Sequence, residues 1–154
     1  MPIEYRKATL NDIAAMQELV KPEVDSGVIL MRSDNEIATN IRSYLLACDE
    51  GKIAGFVALH IHTPLLAEVR SLIVADSYRS SRIGSSLILH ALDEAVELGL
   101  KEVLALTYHQ EFFEKLGFVE IPKESLPEHK IWADCIKCKH FPVCNEVSLI
   151  KQLS

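Results

Sequence analysis

Residues 69–88, VRSLIVADSYRSSRIGSSLI, begin as a strand and end as a helix. The uninterrupted apolar run Leu72-Ile73-Val74 predicts a strand covered on both faces. A turn rich in Arg and Ser follows, and a helix opens around Ile83-Gly84-Ser85. Its apolar stripe runs through Leu87, Ile88, Ala91, Leu92 and Ala95, with His90, Asp93, Glu94 and Glu97 at polar positions. Gly99 suits its C-terminus. The first turn of such a helix leaves backbone N–H groups without partners, and the aligned peptide dipoles add partial positive charge there. A phosphate or pyrophosphate fits both conditions. Arg79 and Arg82 add full charges, Gly84 permits close backbone approach, and Ser80, Ser81, Ser85 and Ser86 offer hydroxyls. One exposed dipole contact contributes only about 0.3–1 kcal/mol, so a firm anion site needs several converging donors. The same residues also suit a plain helix N-terminus with solvated arginines. The glycine patterns of the P-loop and of the dinucleotide fingerprint are absent.

Working outward, IEYRKA (3–8) alternates as a strand does, and Thr9 with Asp12 forms a capping-box pair ahead of Ile13, Met16, Leu19 and Val20. Pro22 to Leu30 reads as a loop. Ser33 and Glu36 offer a second capping box, with Ile37, Ile41 and Leu45 continuing an apolar stripe. Residues 44–61 read as a hairpin about Asp49-Glu50-Gly51-Lys52, where Gly51 can supply a positive φ. Further strands are expected at 67–75, 102–108 and 146–151, with a short helix over 111–117 ended by Gly117. The order is that of a mixed α/β domain, and no repeat, low-complexity segment or linker divides it.

The chain has 154 residues, enough for one domain with one core. No apolar run reaches the ~18–20 residues that span a bilayer, so no membrane partner is expected. The N-terminus MPIEYRKATLND has no apolar signal core, so the chain is expected in the cytoplasm. Its net charge of −6 argues against nonspecific nucleic-acid binding, which depends on Lys and Arg neutralising phosphates.

Two segments together carry a family resemblance. VRSLIVADSYRSSRIGSSLI resembles motif A of the GNAT acetyltransferases, whose signature is Gln/Arg-x-x-Gly-x-Gly/Ala. Arg79 matches its first position and Gly84 its last; Arg82 stands where the family usually has Gly. EFFEKLGFVEI (111–121) resembles the end of motif B. The resemblance implies the GNAT fold, a mixed sheet of about six or seven strands flanked by helices, over a single domain 1–154. It implies acetyl-CoA as co-substrate, its pantetheine arm bonded by backbone near Leu72, Ile73 and Val74, and its pyrophosphate held by Arg79, Ser80, Ser81, Arg82, Ile83, Gly84 and Ser85. Many members place a proton-donating Tyr where this chain has Phe113.

The segments 27–37, 67–74, 106–118 and 129–151 are similar to those of short, single-domain bacterial N-acetylglutamate synthases. That likeness implies transfer of acetyl to the α-amino group of glutamate, the entry step of arginine biosynthesis. Longer synthases carry an amino-acid-kinase-like domain for which 154 residues leave no room, so arginine feedback through it is not expected.

A dicarboxylate acceptor needs cations, and Arg32, Arg70 and Lys130 stand in the matching segments; Arg suits bidentate carboxylate binding. The amine must also lose a proton. With a pKa near ~10 it is neutral in about 0.1% of molecules at pH 7, so a general base is required. Glu68 is the first choice, with Glu111 and His109 next; Glu68 equally suits a structural pairing with Arg70. Tyr108 can return a proton to the leaving thiolate, as can Cys135 or water. A polyamine, an antibiotic or a protein amine is the alternative acceptor, and a noncatalytic acetyl-CoA-binding module the alternative role. The sequence leaves monomer and homodimer open.

Cys135, Cys138 and Cys144, with His140 or His129, can supply three sulfurs and one nitrogen to a structural zinc. They equally suit small packing groups in a C-terminal segment, 129–146, held to the domain by Trp132 and Phe141.

Overall fold

The computed structural model describes residues 3–27, 31–79, 82–122 and 147–153. Strand β1 (Glu4–Lys7) leads into helices α1 (Ile13–Asp25) and α2 (Asp34–Thr39). The hairpin β2 (Tyr44–Asp49) and β3 (Lys52–Ile61) follows, then β4 (Leu66–Val74), α3 (Ile83–Leu98), β5 (Glu102–Thr107), α4 (Gln110–Lys115), β6 (Val119–Ile121) and β7 (Val147–Gln152). The seven strands of the described residues form one sheet in the order β1-β2-β3-β4-β5-β7-β6. Every pairing is antiparallel except β4 with β5, whose connection is the crossover helix α3.

Period-two alternation sends the strand side chains to two cores. One face, with Leu45, Ala47, Val57, Leu59, Val69, Val103, Ala105 and Leu149, packs on the stripe of α3 and on Phe113 and Phe118 around α4. The other, with Tyr44, Leu46, Phe56, Ala58 and Ile73, packs on Met16 and Val20 of α1 and Ile37 of α2.

Local chemistry explains most element ends. Both capping boxes form, at Thr9 with Asp12 and at Ser33 with Glu36. The β2–β3 turn takes positive φ at Glu50 (51°) as well as Gly51 (83°), the paired signs of a two-residue hairpin turn. Gly99 ends α3 with φ 89°. Two readings need correction. Pro22 to Asp25 is helix, not loop: Pro22 sits inside α1, and the spacing Met16, Val20, Val24 keeps one apolar face on the core past the proline. The stripe drawn from Ile37 to Leu45 is not one helix, because α2 ends at Thr39 and Leu45 belongs to β2.

Asp12 also anchors β1. Both its oxygens accept from Arg6, at 2.9 and 3.0 Å, and this bonding, ahead of the opposing effect of burial, holds its carboxyl at about 2 against an ordinary 3.8. A carboxyl held below its unfolded value contributes stability above pH 3.8, and the unfolded chain takes up the extra proton as pH falls toward about 2. Asp12→Asn is therefore expected to flatten the fall in Tm across that window, measured by melts at stepped pH; an unchanged slope would contradict the pairing.

Candidate active site

The site arises where the sheet divides. β4 and β5 pair only from Leu66 with Glu102 to Val69 with Ala105. Beyond that point β5 continues on β7, while β4 continues on β3 alone. A β-bulge marks the division: Ala58 faces Arg70 and Phe56 faces Ile73, so Val57 stands opposite both Ser71 and Leu72. Ser71 takes φ 60°, a conformation uncommon for a side-chain-bearing residue. The extra residue resets the alternation and bends the strand. Leu72 and Val74 then lean on the α3 core and Ile73 on the α1 core.

Gly55 makes the bend possible. A Cβ there would lie 2.6 Å from the Ile73 carbonyl oxygen and 3.3 Å from Val74 Cα, backbone that cannot swing aside. Gly55→Ala is expected to cost about 2 kcal/mol or more, a fall in Tm of roughly 5–8 °C for a chain of this length. A melt within a degree of the parent would show that β4 is not held there.

The helix N-terminus stands beside this opening. α3 starts at Ile83 after Arg82, which caps it with φ 64°, ψ 16°. That left-handed conformation accounts for the glycine the resemblance expects at this position. The nearest atoms to a Cβ on Gly84 would be Phe112 Cζ at 3.6 Å and Val74 Cγ2 at 3.7 Å, so one edge of the opening is a bare peptide between two apolar side chains. Arg79 is paired, although its side chain is 54% exposed. Its Nε donates to Val74 O at 3.1 Å, and Nη2 lies 3.2 Å from both Glu23 of α1 and Asp76. It therefore ties the end of β4 to α1, beside a groove of about 690 Å³ that Leu19, Pro22, Ile73 and Ala75 help to line. Ser80 and Ser81 lie outside the described residues.

On the α1 face a polar row crosses β3 and β4. Glu68, 1% exposed, pairs with His62, Oε1 to Nε2 at 2.9 Å. Arg70 Nη2 donates to His60 Nδ1 at 3.1 Å, and the two histidine rings meet edge to face at 4.8 Å. Glu68 thus bonds His62. Tyr44, Ala58 and Arg70 share one register row, and the small Ala58 leaves space between the other two. Burial raises the Tyr44 phenol, and the positive charges of Arg32 and Arg70 partly offset it. The loop carrying Arg32 is fastened by Gln17, whose Nε2 donates to Arg32 O at 2.7 Å and to Asp34 Oδ1 at 3.0 Å.

The structure thus brings Arg32, Arg70 and Glu68 to one face and Leu72–Val74 with Ile83–Ser85 to the adjoining opening. Tyr108, about one-third exposed, follows the last residue of β5. His109 and Glu111 begin α4, whose Phe113 is buried in the α3-side core, so they stand apart from the polar row. Lys130, Cys135, Cys138, Cys144 and His140 lie outside the described residues. Among the described residues no group of three or more His, Cys, Asp or Glu can hold a metal ion, and no described helix is long and apolar enough to cross a membrane. His60, His62, Tyr44 and Gly55 were not singled out from the sequence. The repeated spacing His-x-His on one strand and Glu-x-Arg on the next was the available signal, since residues two apart share a face.

Comparison with known proteins identifies the family and supports the fold. The model of the acetyltransferase (GNAT) family matches residues 11–118, and the chain belongs to that family. It is 36% identical over 148 residues to an uncharacterised N-acetyltransferase of Chlorobaculum tepidum, covering 96% of this chain and 95% of that one. It is 27% identical over 129 residues to the amino-acid acetyltransferase of Vibrio cholerae, covering 82% of this chain but only 29% of that longer protein. Among solved structures, N-acetylglutamate synthase from Neisseria gonorrhoeae, complexed with coenzyme A and N-acetyl-glutamate, superposes with TM-score 0.89 at 23% identity, over 100% of this chain and 36% of that one. The fold is therefore that of the GNAT acetyltransferases, with seven strands among the described residues.

Proposed function

We propose that this acetyltransferase moves acetyl from acetyl-CoA to the α-amino group of an amino acid, with L-glutamate the favoured acceptor. The observation that carries the reading is that Arg70 and buried Glu68 stand two residues apart on β4, on the face against α1, where Gln17 fastens the backbone of Arg32. Two guanidinium groups suit the carboxylates of an acidic amino acid and oppose a cationic acceptor such as a polyamine. The similarity to amino-acid acetyltransferases supports the same choice.

In this reading acetyl-CoA lies in the gap between the ends of β4 and β5. Backbone groups of Leu72–Val74 bond its arm, and the α3 N-terminus from Arg82 to Ser85, with Arg79 and the serines before it, receives its pyrophosphate. Glu68 takes a proton from the acceptor ammonium, directly or through water. The freed nitrogen attacks the thioester carbonyl carbon, the C–N bond forms and the C–S bond breaks. The departing thiolate takes a proton from Tyr108 or water. No acyl-enzyme is needed.

The test is a thiol-release assay with glutamate, glutamine, aspartate and spermidine. Glutamate is expected to give the highest kcat/KM. A higher value for spermidine would overturn the acidic-acceptor reading, and no turnover with any amine despite acetyl-CoA binding would favour a noncatalytic binding module.

A further inference from the structure

We propose that His62 is a positioning residue for Glu68, holding the carboxylate in the orientation from which it takes the acceptor's proton; this rests on Glu68 serving as the base. A carboxylate 1% exposed loses the solvation that keeps it ionised unless a donor replaces water. His62 supplies one, its Nε2 2.9 Å from Glu68 Oε1, and its own side chain is only 3% exposed. The imidazole is itself fixed. His62 follows the last residue of β3, and its backbone N–H donates to Leu66 O at 2.9 Å, so the ring is set by the tight connection between β3 and β4. Its neighbour in the row is held too. Arg70 has only donors, so the Nδ1 of His60 accepts and the proton of a neutral His60 lies on Nε2. The ring of His60 then buttresses that of His62 edge to face.

Two histidines two residues apart on one edge therefore meet two charged groups two residues apart on the other. His60 steadies the cation assigned to the acceptor's carboxylate, and His62 steadies the carboxylate assigned to its amine. This joins binding and deprotonation through one rigid hairpin, and rigidity at the first contact is what a proton transfer over hydrogen-bond distance needs.

Steady-state kinetics on variants, with the best acceptor of the panel, test the assignment. His62→Leu is expected to lower kcat about 10- to 100-fold, with KM for acceptor and acetyl-CoA within about twofold of the parent. His62→Gln keeps a donor able to reach Oε1 and is expected to recover most of the rate. His62→Asn is polar but too short to reach, and is expected to be as slow as Leu; it serves where Leu prevents folding. The double variant His62→Leu with Glu68→Gln is expected to be no slower than Glu68→Gln alone, because the two act as a unit. Parental kcat in His62→Leu or His62→Asn beside an inactive Glu68→Gln overturns the positioning role and leaves the base in place. Parental kcat in Glu68→Gln overturns the base and this proposal with it. Losses that multiply in the double variant, or a fall carried by KM, make His62 a structural residue only and overturn the proposal.

Discussion

Glu68→Gln is expected to lower kcat by about 10²- to 10³-fold while acetyl-CoA binds as tightly as before. Removal of a positioned general base costs about 10²–10⁴ in rate, and water reaching the amine would recover part of that. The substitution isolates chemistry from folding. Gln has nearly the shape of Glu, and its amide oxygen can still accept from His62, so the buried partner at 2.9 Å keeps a bond. A second readout follows from the proton itself. An acceptor whose amine has a lower pKa needs less help, so the loss is expected to shrink with such an amine. Calorimetry supplies the control, since Glu68 lies on the α1 face and the Gly84 peptide on the other side of β4. An unchanged kcat would place the base elsewhere.

Gly84→Glu is expected to raise the Kd for acetyl-CoA about 100-fold or more, with the melting temperature held. The space around Gly84 accounts for the split. The nearest protein atoms to an added Cβ are 3.6 and 3.7 Å away, ordinary contact distances, so the chain tolerates a side chain there. A carboxylate in the first turn even suits the helix dipole. The cost falls on the ligand, whose diphosphate would lose close approach to the peptide and face a like charge. A 100-fold change is about 2.7 kcal/mol, several exposed dipole contacts' worth. Gly84→Ala adds bulk without charge and is expected to fall between. Unchanged affinity in Gly84→Glu would mean that the diphosphate binds elsewhere.

Much of this was legible in local chemistry. The two capping boxes, the Glu50-Gly51 turn and the stripe of α3 each follow from residues within a few positions of one another. Glu68 and Arg70 were legible as neighbours on one strand, but Arg32 joins their face only because Gln17 of α1 fastens its backbone there. Pro22 misled because a proline costs a helix a bond, while the burial of Val20 and the packing of Val24 against the same core favour continuing it. The three-residue β6 has too little sequence to show a period and owes its place to pairing with β7. The bulge at Ser71 was invisible for a related reason. It shows only in the register with the neighbouring strand, where the missing Cβ of Gly55 lets the Ile73 carbonyl approach. His60 falls within the expected hairpin and His62 just past it; only the register with Glu68 and Arg70 gives them a role.

One experiment bears on the whole account. The protein is loaded with one equivalent of acetyl-CoA labelled in its acetyl group and mixed with excess glutamate carrying a heavy α-nitrogen; the products of a single turnover are then weighed. The account predicts that the label appears on the heavy nitrogen in step with release of the free thiol, with no acetylated protein at any time. Label that stays in the thioester, or that emerges only as acetate, would contradict it.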